Sequence, residues 1–294
     1  SPGSLTFTSA NWDTPQSVIV TGADDDLADG TQNSTVTISV VDLSSDDSFD
    51  SLADQSFTVT TADNDIAGFT ITETNGSTEV DESGDTDIFT VVLDAQPAND
   101  VVLSIISSDT GEATVTSTLT FTSANWDTAQ TVTVTGVDDS LLDGSQSSIV
   151  TISVVDQNTS DEFDAVADQT VSVSTTDDDV AGFTIVELDG STEVDESGDT
   201  DTFTVVLDAQ PDSNVVVAIS VSDSSESSVN SPLTFTSANW DTPQVATITG
   251  VDDDLIDGTI TSTVTVSVVD ASSDNNFDAV ADQTVSVSTT DDDV

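Results

Sequence analysis

Short runs rich in Val, Ile, Thr and Phe alternate apolar with polar residues along this chain, and clusters of Asp, Gly, Ser and Asn separate them. A period of two sends successive side chains to opposite faces, the pattern of half-buried β-strands bounded by turns. Helical periodicity is absent. Between residues 67 and 180 the runs predict strands at about 67–73, 86–94, 99–107, 117–122, 130–137, 146–156 and 168–176. Seven short strands in that space predict an all-β chain folded as antiparallel β-sandwiches with Greek-key connections.

The pattern repeats. The decapeptide LTFTSANWDT starts at positions 5, 119 and 233, a constant offset of 114. The segment from Ala67, AGFTITETNGSTEVDESGDTDIFTVVLDAQP, returns from Ala181 as AGFTIVELDGSTEVDESGDTDTFTVVLDAQP at the same offset. The chain therefore divides into a partial repeat at 1–66 and complete repeats at 67–180 and 181–294. Each complete repeat is long enough for its own core. Residues 1–66 match only the closing part of a repeat, lack its opening 48 residues and are expected to expose an unfinished core. The expectation is a window on a longer tandem array; the rival is donation of the missing strands by a neighbouring subunit.

Charge narrows the function classes. There are 57 Asp and Glu and no Lys, Arg or His, a formal net charge of -57. Without a base the chain has no electrostatic grip on nucleic acid or on an anionic membrane. The absence of His, Cys, Lys, Arg and Tyr leaves only carboxylates and hydroxyls for chemistry, so no enzyme is expected. No apolar run approaches the roughly 18 residues of a membrane-spanning helix, and the first residues do not read as a signal peptide. The window reads as soluble, with any export signal outside it. High negative charge often marks disorder, but here 35% of residues are hydrophobic and they alternate, which predicts folding.

If successive strands run alternately up and down, the ends of the first, third, fifth and seventh fall at one pole. Those ends carry Asp81, Glu82 and Asp85; Asp109 and Glu112; Asp138, Asp139 and Asp143; and Asp177, Asp178 and Asp179. So many carboxylates at one pole repel one another unless a hard cation shares them. Calcium fits best, because it takes six to eight oxygen ligands in flexible geometry. Magnesium, which keeps more of its water, is second, and transition metals lack the imidazole and thiolate they favour. The segment from Asp252 to Gly258 is not an EF-hand, because the fifth ligand position and the terminal Glu are wrong.

V-D-E-S-G near the start of a repeat, V-D-D-x-L-x-D-G after a TVTVTG or ATITG strand, and a closing D-D-D together resemble Calx-beta domains. These are calcium-binding immunoglobulin-like sandwiches of sodium-calcium exchanger regulatory regions and of large bacterial surface proteins. The LTFTSANWDTPQ segment is similar to the bacterial adhesin repeats. The resemblance implies calcium ligands at Glu82, Asp138, Asp139, Asp143, Asp177, Asp178 and Asp179, and at Glu196, Asp252, Asp253, Asp257, Asp291, Asp292 and Asp293. It also points, less directly, to Asp109 with Glu112 and Asp223 with Glu226. The partial repeat keeps Asp24, Asp25, Asp29, Asp63 and Asp65, lacks a Glu82 counterpart and has Asn64 in place of the middle Asp, so its site is expected to be incomplete.

Only Val180 stands between Asp179 and Ala181, so no flexible tether separates the repeats. The opposite pole, with DAQPAND, SANWDT and the DQNTSDEFDAVADQ loop, is expected to abut the acidic cap of the preceding repeat, bringing Asp161, Glu162 and Asp164 toward Asp63 and Asp65. Residues 67–180 carry 22 acids and 181–294 carry 23, so about three to four calcium ions per repeat leave much negative charge to favour solubility and extension. The expected function is a calcium-stabilised extracellular rod: the extender of a secreted bacterial adhesin or the body of a surface filament of identical chains. The expected partners are neighbouring repeats, with a host or glycan surface reached through parts not present here.

Blander readings stand beside this one. Acid clusters also serve as solvated loops in salt-adapted spacers. Trp12, Trp126 and Trp240 are sugar platforms or, as one Trp per repeat favours, packed structural residues. Alternating Thr at 131–135 suits a half-buried strand better than an ice-binding face, and the sequons at Asn33, Asn75 and Asn158 are weak in so Ser/Thr-rich a chain. A repeat face that binds glycan or protein, with avidity over identical sites, is the alternative from another class.

Overall fold

The computed structural model describes residues 3–293, apart from the Asn158 side chain. It is all-β, and the helical elements among the described residues are single 3-10 turns of three residues. Nine strands lie between residues 69 and 176: β3 (Phe69–Glu73), β4 (Thr78–Asp81), β5 (Thr86–Leu93), β6 (Val101–Ser107), β7 (Ala113–Val115), β8 (Thr118–Phe121), β9 (Gln130–Gly136), β10 (Gln146–Val154) and β11 (Gln169–Thr176). They make one sheet of order β4-β11-β10-β6-β8 and another of order β3-β5-β9-β7.

Most inward positions of the alternating runs are filled by apolar side chains, with Thr78, Ser107, Ser148 and Thr175 as buried polar exceptions. Phe89, Val91, Val132 and Val134 from one sheet meet Leu103, Ile105, Val150, Ile152 and Val173 from the other in one core, all fully buried or nearly so. Burial of such a side chain contributes about 1.5–3 kcal/mol, which is what holds the sheets face to face. The third repeat copies the arrangement with β12 (Phe183–Glu187), β13 (Thr192–Asp195), β14 (Thr200–Leu207), β15 (Val215–Val221), β16 (Ser227–Val229), β17 (Leu233–Phe235), β18 (Gln244–Gly250), β19 (Ile260–Val268) and β20 (Gln283–Thr290). Its sheets have the orders β13-β20-β19-β15-β17 and β12-β14-β18-β16.

All seven strands expected between 67 and 180 are present, and β4 and β7 are additional. β4 runs parallel to β11, with Val80 opposite Thr175 and Asp81 opposite Thr176, so this sheet is mixed rather than purely antiparallel. β4 and β7 are four and three residues long, and β4 exists because the edge of β11 is there to pair with.

Ahead of these sandwiches, β1 (Gln32–Ile38) and β2 (Gln55–Thr61) pair only with each other. Residues 16–22 match β9 in sequence yet form no strand. Their missing neighbours are the reason: β9 is held between β5 and β7, and residues 3–66 contain no counterpart of either.

Candidate metal centre

The acidic pole is assembled by one strand that changes sheets. β3 heads toward that pole beside β5, reaching Glu73 opposite Phe89. The chain then turns through Asn75 and Gly76, both at positive φ (60° and 85°), and re-emerges as β4 in the facing sheet. A left-handed pair suits Asn and Gly and few other residues. The parallel pairing carries on past the strand, because the Glu82 N–H donates to the Thr176 carbonyl at 3.1 Å. Glu82 is thereby delivered beside Asp177 and Asp179. In the third repeat Glu196 makes the same bond to Thr290, also at 3.1 Å.

The first Asp of the closing triplet clamps the facing loop. The Asp177 carboxylate accepts the Gly144 N–H at 2.7 Å and the Asp179 N–H at 2.8 Å. Asp291 accepts from Asp257, Gly258 and Asp293, and Asp63 from Asp29, Gly30 and Asp65. Backbone N–H donors hold the Asp63 and Asp291 carboxyls below their ordinary range, so these clamps are ionised. All three repeats share this device, and it fixes the distance between the end of the last strand and the acidic loop.

Further carboxylates crowd round the clamps of the two complete repeats. Glu82, Asp139 and Asp179 each offer an oxygen within 4.8 Å of the others; so do Glu196, Glu226 and Asp257, and again Glu196, Asp291 and Asp293. Glu82 and Glu196 are only 1% exposed. Buried oxygens of Glu82, Glu112, Asp143 and Asp179, and of Glu196, Glu226 and Asp293, have no hydrogen-bond partner. Burial first, and then the neighbouring acids, push the Glu82 and Glu196 carboxyls up from 4.5 to about 7. The same causes, in the same order, raise Glu112, Glu226, Asp179 and Asp293. An unpaired buried carboxylate is costly, and a shared cation or a proton removes the cost. The donor set is all oxygen, which fits a hard divalent ion such as calcium and offers a transition metal nothing it prefers.

Of the remaining acids singled out by sequence, Asp138, Asp178, Asp252 and Asp292 are exposed beside the groups. Asp253 is half-buried and Asp143 turns one buried oxygen inward. Asp109 and Asp223 spend their carboxylates on their own loops, Asp109 accepting from the Gly111 N–H at 2.9 Å and Asp223 from the Ser225 N–H and Oγ. Asp24 and Asp25 are exposed, and Asp65 is raised by burial and then by Asp63, Asp24, Asp26 and Asp25. Sequence reasoning passed over Gly136 and Gly250, whose place at the end of TVTVTG and ATITG is the available signal.

The loop that carries the acids also touches the next repeat. The Gln210 N–H donates to the Ser140 carbonyl at 2.7 Å, the Leu142 N–H donates to Gln210 at 3.2 Å, and Asn276 Nδ2 donates to the Leu142 carbonyl at 2.9 Å. Leu142 packs against the core of the third repeat. One repeat earlier, the Gln96 N–H donates to Asp26 at 2.7 Å and the Ala28 N–H to Gln96 at 3.0 Å, with Ala28 buried in the second core. The side chains of Gln96 and Gln210 anchor to Ser123 and Ser237, which ties DAQP to the SANWDT turn. Trp126 and Trp240 in that turn pack on the cores, and the Trp126 carbonyl accepts the Leu93 N–H. Among the described residues no helix is long and apolar enough to cross a membrane.

No family model and no curated protein matches this chain. Among solved structures it is similar to CBD12 from CALX1.2, at 15% identity over 67% of this chain and 79% of that one with a TM-score of 0.27. It is similar to the S-layer protein SbsC domains 4 and 5, at 12% identity over 76% of this chain and 97% of that one with a TM-score of 0.31. The apo-form Calx CBD1 domain gives 15% identity over 39% of this chain and all of that one, with a TM-score of 0.29. Likeness of this degree fixes neither ligand nor role.

Proposed function

We propose that this chain is a calcium-stabilised structural repeat array, a stiff extracellular extender or filament segment whose ions sit at the acidic pole of each sandwich. The observation that carries it is the set of buried, partnerless carboxylate oxygens of Glu82, Glu112, Asp143 and Asp179, repeated at Glu196, Glu226 and Asp293, in a chain without a single base. When bound, the ion supplies the positive charge that the sequence lacks. Glu82 and Asp139 with Asp179 hold it in the second repeat; Glu196, shared between two groups, links Glu226 and Asp257 with Asp291 and Asp293 in the third.

The consequence is mechanical. The segment 138–143 carries acids of the site and also makes the backbone bonds from Ser140 and Leu142 to the next repeat, so ordering it for the ion orders the joint. Chain self-repulsion then favours extension while the ions hold each cap together. A surface or secreted setting supplies calcium at the concentrations that such a site needs.

Small-angle scattering of the chain in calcium and in chelator tests this reading. The maximum dimension should be longer and better defined in calcium, and chelator at matched ionic strength should give a broader, more flexible profile. Identical profiles in the two buffers would falsify the stiffening.

A further inference from the structure

The four-stranded sheet of each complete repeat turns an acid-free face to solvent. On β5 the residues that alternate with the buried Phe89 and Val91 point away from the core, and so do their neighbours on β3, β7 and β9. Every one of these outward positions is Thr, Val or Ile, and on β12, β14, β16 and β18 every counterpart is Thr, Val or Ser. The register sets them in rows: Thr72, Thr90 and Thr131 lie side by side across three strands, as Val186, Thr204 and Val245 do in the third repeat. Ile88, Val186 and Val245 are 37, 47 and 49% exposed, so apolar area faces solvent in both repeats. Asp94 and Asp208 stand at the rim, where they accept from the Oγ1 of Thr70 and Thr184 at 2.7 and 2.8 Å. The five-stranded sheets differ, because their outward positions include Glu79 and Asp81, and Glu193 and Asp195.

Strands favour Thr and Val for their own sake, so this content decides nothing by itself. The exchanges between the repeats decide more. Thr72 gives way to Val186, Ile88 to Thr202, Thr114 to Ser228 and Thr131 to Val245. A partner that reads hydroxyl groups, such as a sugar, needs each hydroxyl in place, and these exchanges remove or add them. What both repeats keep is neutrality, in a chain of 57 acids and no base. A basic partner is drawn to the acids and away from the face that lacks them. The face suits a partner that carries the chain's own charge, because an acid anywhere in that contact is met by repulsion.

We propose that the outer face of the four-stranded sheet is a self-association surface, on which a second copy of this chain lays the same face, sheet against sheet. The contact is isologous, buries the methyl groups of Thr, Val and Ile, and leaves the acidic poles in solvent. Repulsion between two chains of charge -57 opposes the approach, so association strengthens as salt screens that charge. The proposal goes beyond the calcium reading and holds whichever ion occupies the pole.

Sedimentation equilibrium of the full chain over a range of protein concentrations tests it, in chelator with low and with high sodium chloride and in calcium at matched ionic strength. Expected is a weight-average mass that rises from 30.3 kDa to twice that or more in high sodium chloride, with or without calcium, and that rises less in low salt. Thr90→Asp with Thr204→Asp should weaken association about tenfold or more. Ser172→Asp with Ser286→Asp, the same change of charge on the outward side of the five-stranded sheets, should leave it within about twofold. Circular dichroism melts show whether each pair stays folded; if the first does not, Thr90→Gln with Thr204→Gln, which adds bulk without charge, should weaken association in the same direction. A monomer at every salt concentration overturns the proposal. Association that calcium alone brings about places the contact at the acidic poles and overturns it too. Association that both Asp pairs weaken equally, or that neither weakens, runs through other surfaces, residues 3–66 included, and likewise overturns it.

Discussion

A Cβ on Gly136 would stand 1.8 Å from the carbonyl oxygen of Asp81, and one on Gly250 the same distance from that of Asp195. The end of β9 and the turn after β4 approach so closely that only glycine fits, and the Gly136 N–H donates to Asp85 at 3.0 Å. This contact presses the Glu82 turn onto the strand that leads into Asp138 and Asp139, so the geometry of the acidic pole depends on a residue with no functional group. Gly22, the counterpart in the partial repeat, would meet only Thr61 Cγ2 at 3.3 Å.

Gly136→Ala should therefore destabilise the second repeat by about 1–3 kcal/mol, as backbone-level overpacking does, and weaken calcium binding there. Gly22→Ala should be close to neutral. Chemical denaturation of the two variants side by side checks the contrast.

Between about pH 4.5 and 7 the pH dependence of the metal-free protein should run opposite to that of an ordinary salt-bridged domain. Glu82 and Glu196 titrate near 4.5 when unfolded and at about 7 when folded. The folded state then holds protons that the unfolded chain releases. The contribution of these two carboxylates to stability is fullest below about 4.5 and falls as pH rises to about 7, whereas the ionised Asp63 and Asp291 clamps weaken only on strong acidification. In chelator the melting temperature should fall across that window, and Glu82→Gln with Glu196→Gln should flatten the fall. Calcium should abolish it in the unmodified chain, and the Gln variants should bind the ion more weakly. Melting curves at several pH values, with and without chelator, read all three effects.

Asp177 holds two backbone N–H groups, so its removal loosens the loop as well as taking an acid from the pole. Asp177→Ala frees the N–H groups of Gly144 and Asp179 and releases the loop from the end of β11. Calcium affinity of the second repeat should fall about 10–100-fold, in line with the loss of a group that orients ligands. Calorimetry on a chain whose third site is disabled by Glu196→Gln isolates that effect.

The two joints differ at several positions, with Ala28 and Asp26 in the first where Leu142 and Ser140 stand in the second, and one difference changes a hydrogen bond. Asn276 donates to Leu142 across the joint between the second and third repeats, whereas its counterpart Glu162 has no donor to offer and accepts from Ser160 Oγ at 3.0 Å. Asn276→Glu should loosen the second joint and Glu162→Asn should tighten the first. Distance distributions between paired spin labels on adjacent repeats should broaden in the former and narrow in the latter.

Much of the fold was legible because period-two runs of Val, Ile, Thr and Phe survive from sequence to sheet, as in Phe89, Val91 and Leu93 on the inner face of β5. The gathering of acids at one pole followed from strand alternation, although the route differs: β3 reaches the pole only by crossing into β4. What remained hidden depends on partners distant in sequence. The β4 segment TEVD pairs with β11 almost a hundred residues on, and the close approach at Gly136 arises only when that pairing is made. The limit is clearest at residues 16–22, where a strand sequence forms no strand for want of neighbours. Which acids point inward was equally unreadable. Asp177 and Asp179 are two residues apart in one triplet, yet one is spent on backbone N–H groups and the other keeps a buried oxygen free.

The central claim is that the buried carboxylates hold calcium and that the ion stabilises the array. Calorimetric calcium titration of the chain, with thermal melting in calcium and in chelator alongside, tests it most directly. The account predicts several tight sites and a large gain in melting temperature through binding linkage. No saturable binding, with stability recovered equally by sodium or potassium chloride, would contradict it and leave a salt-adapted acidic sandwich without a specific ion.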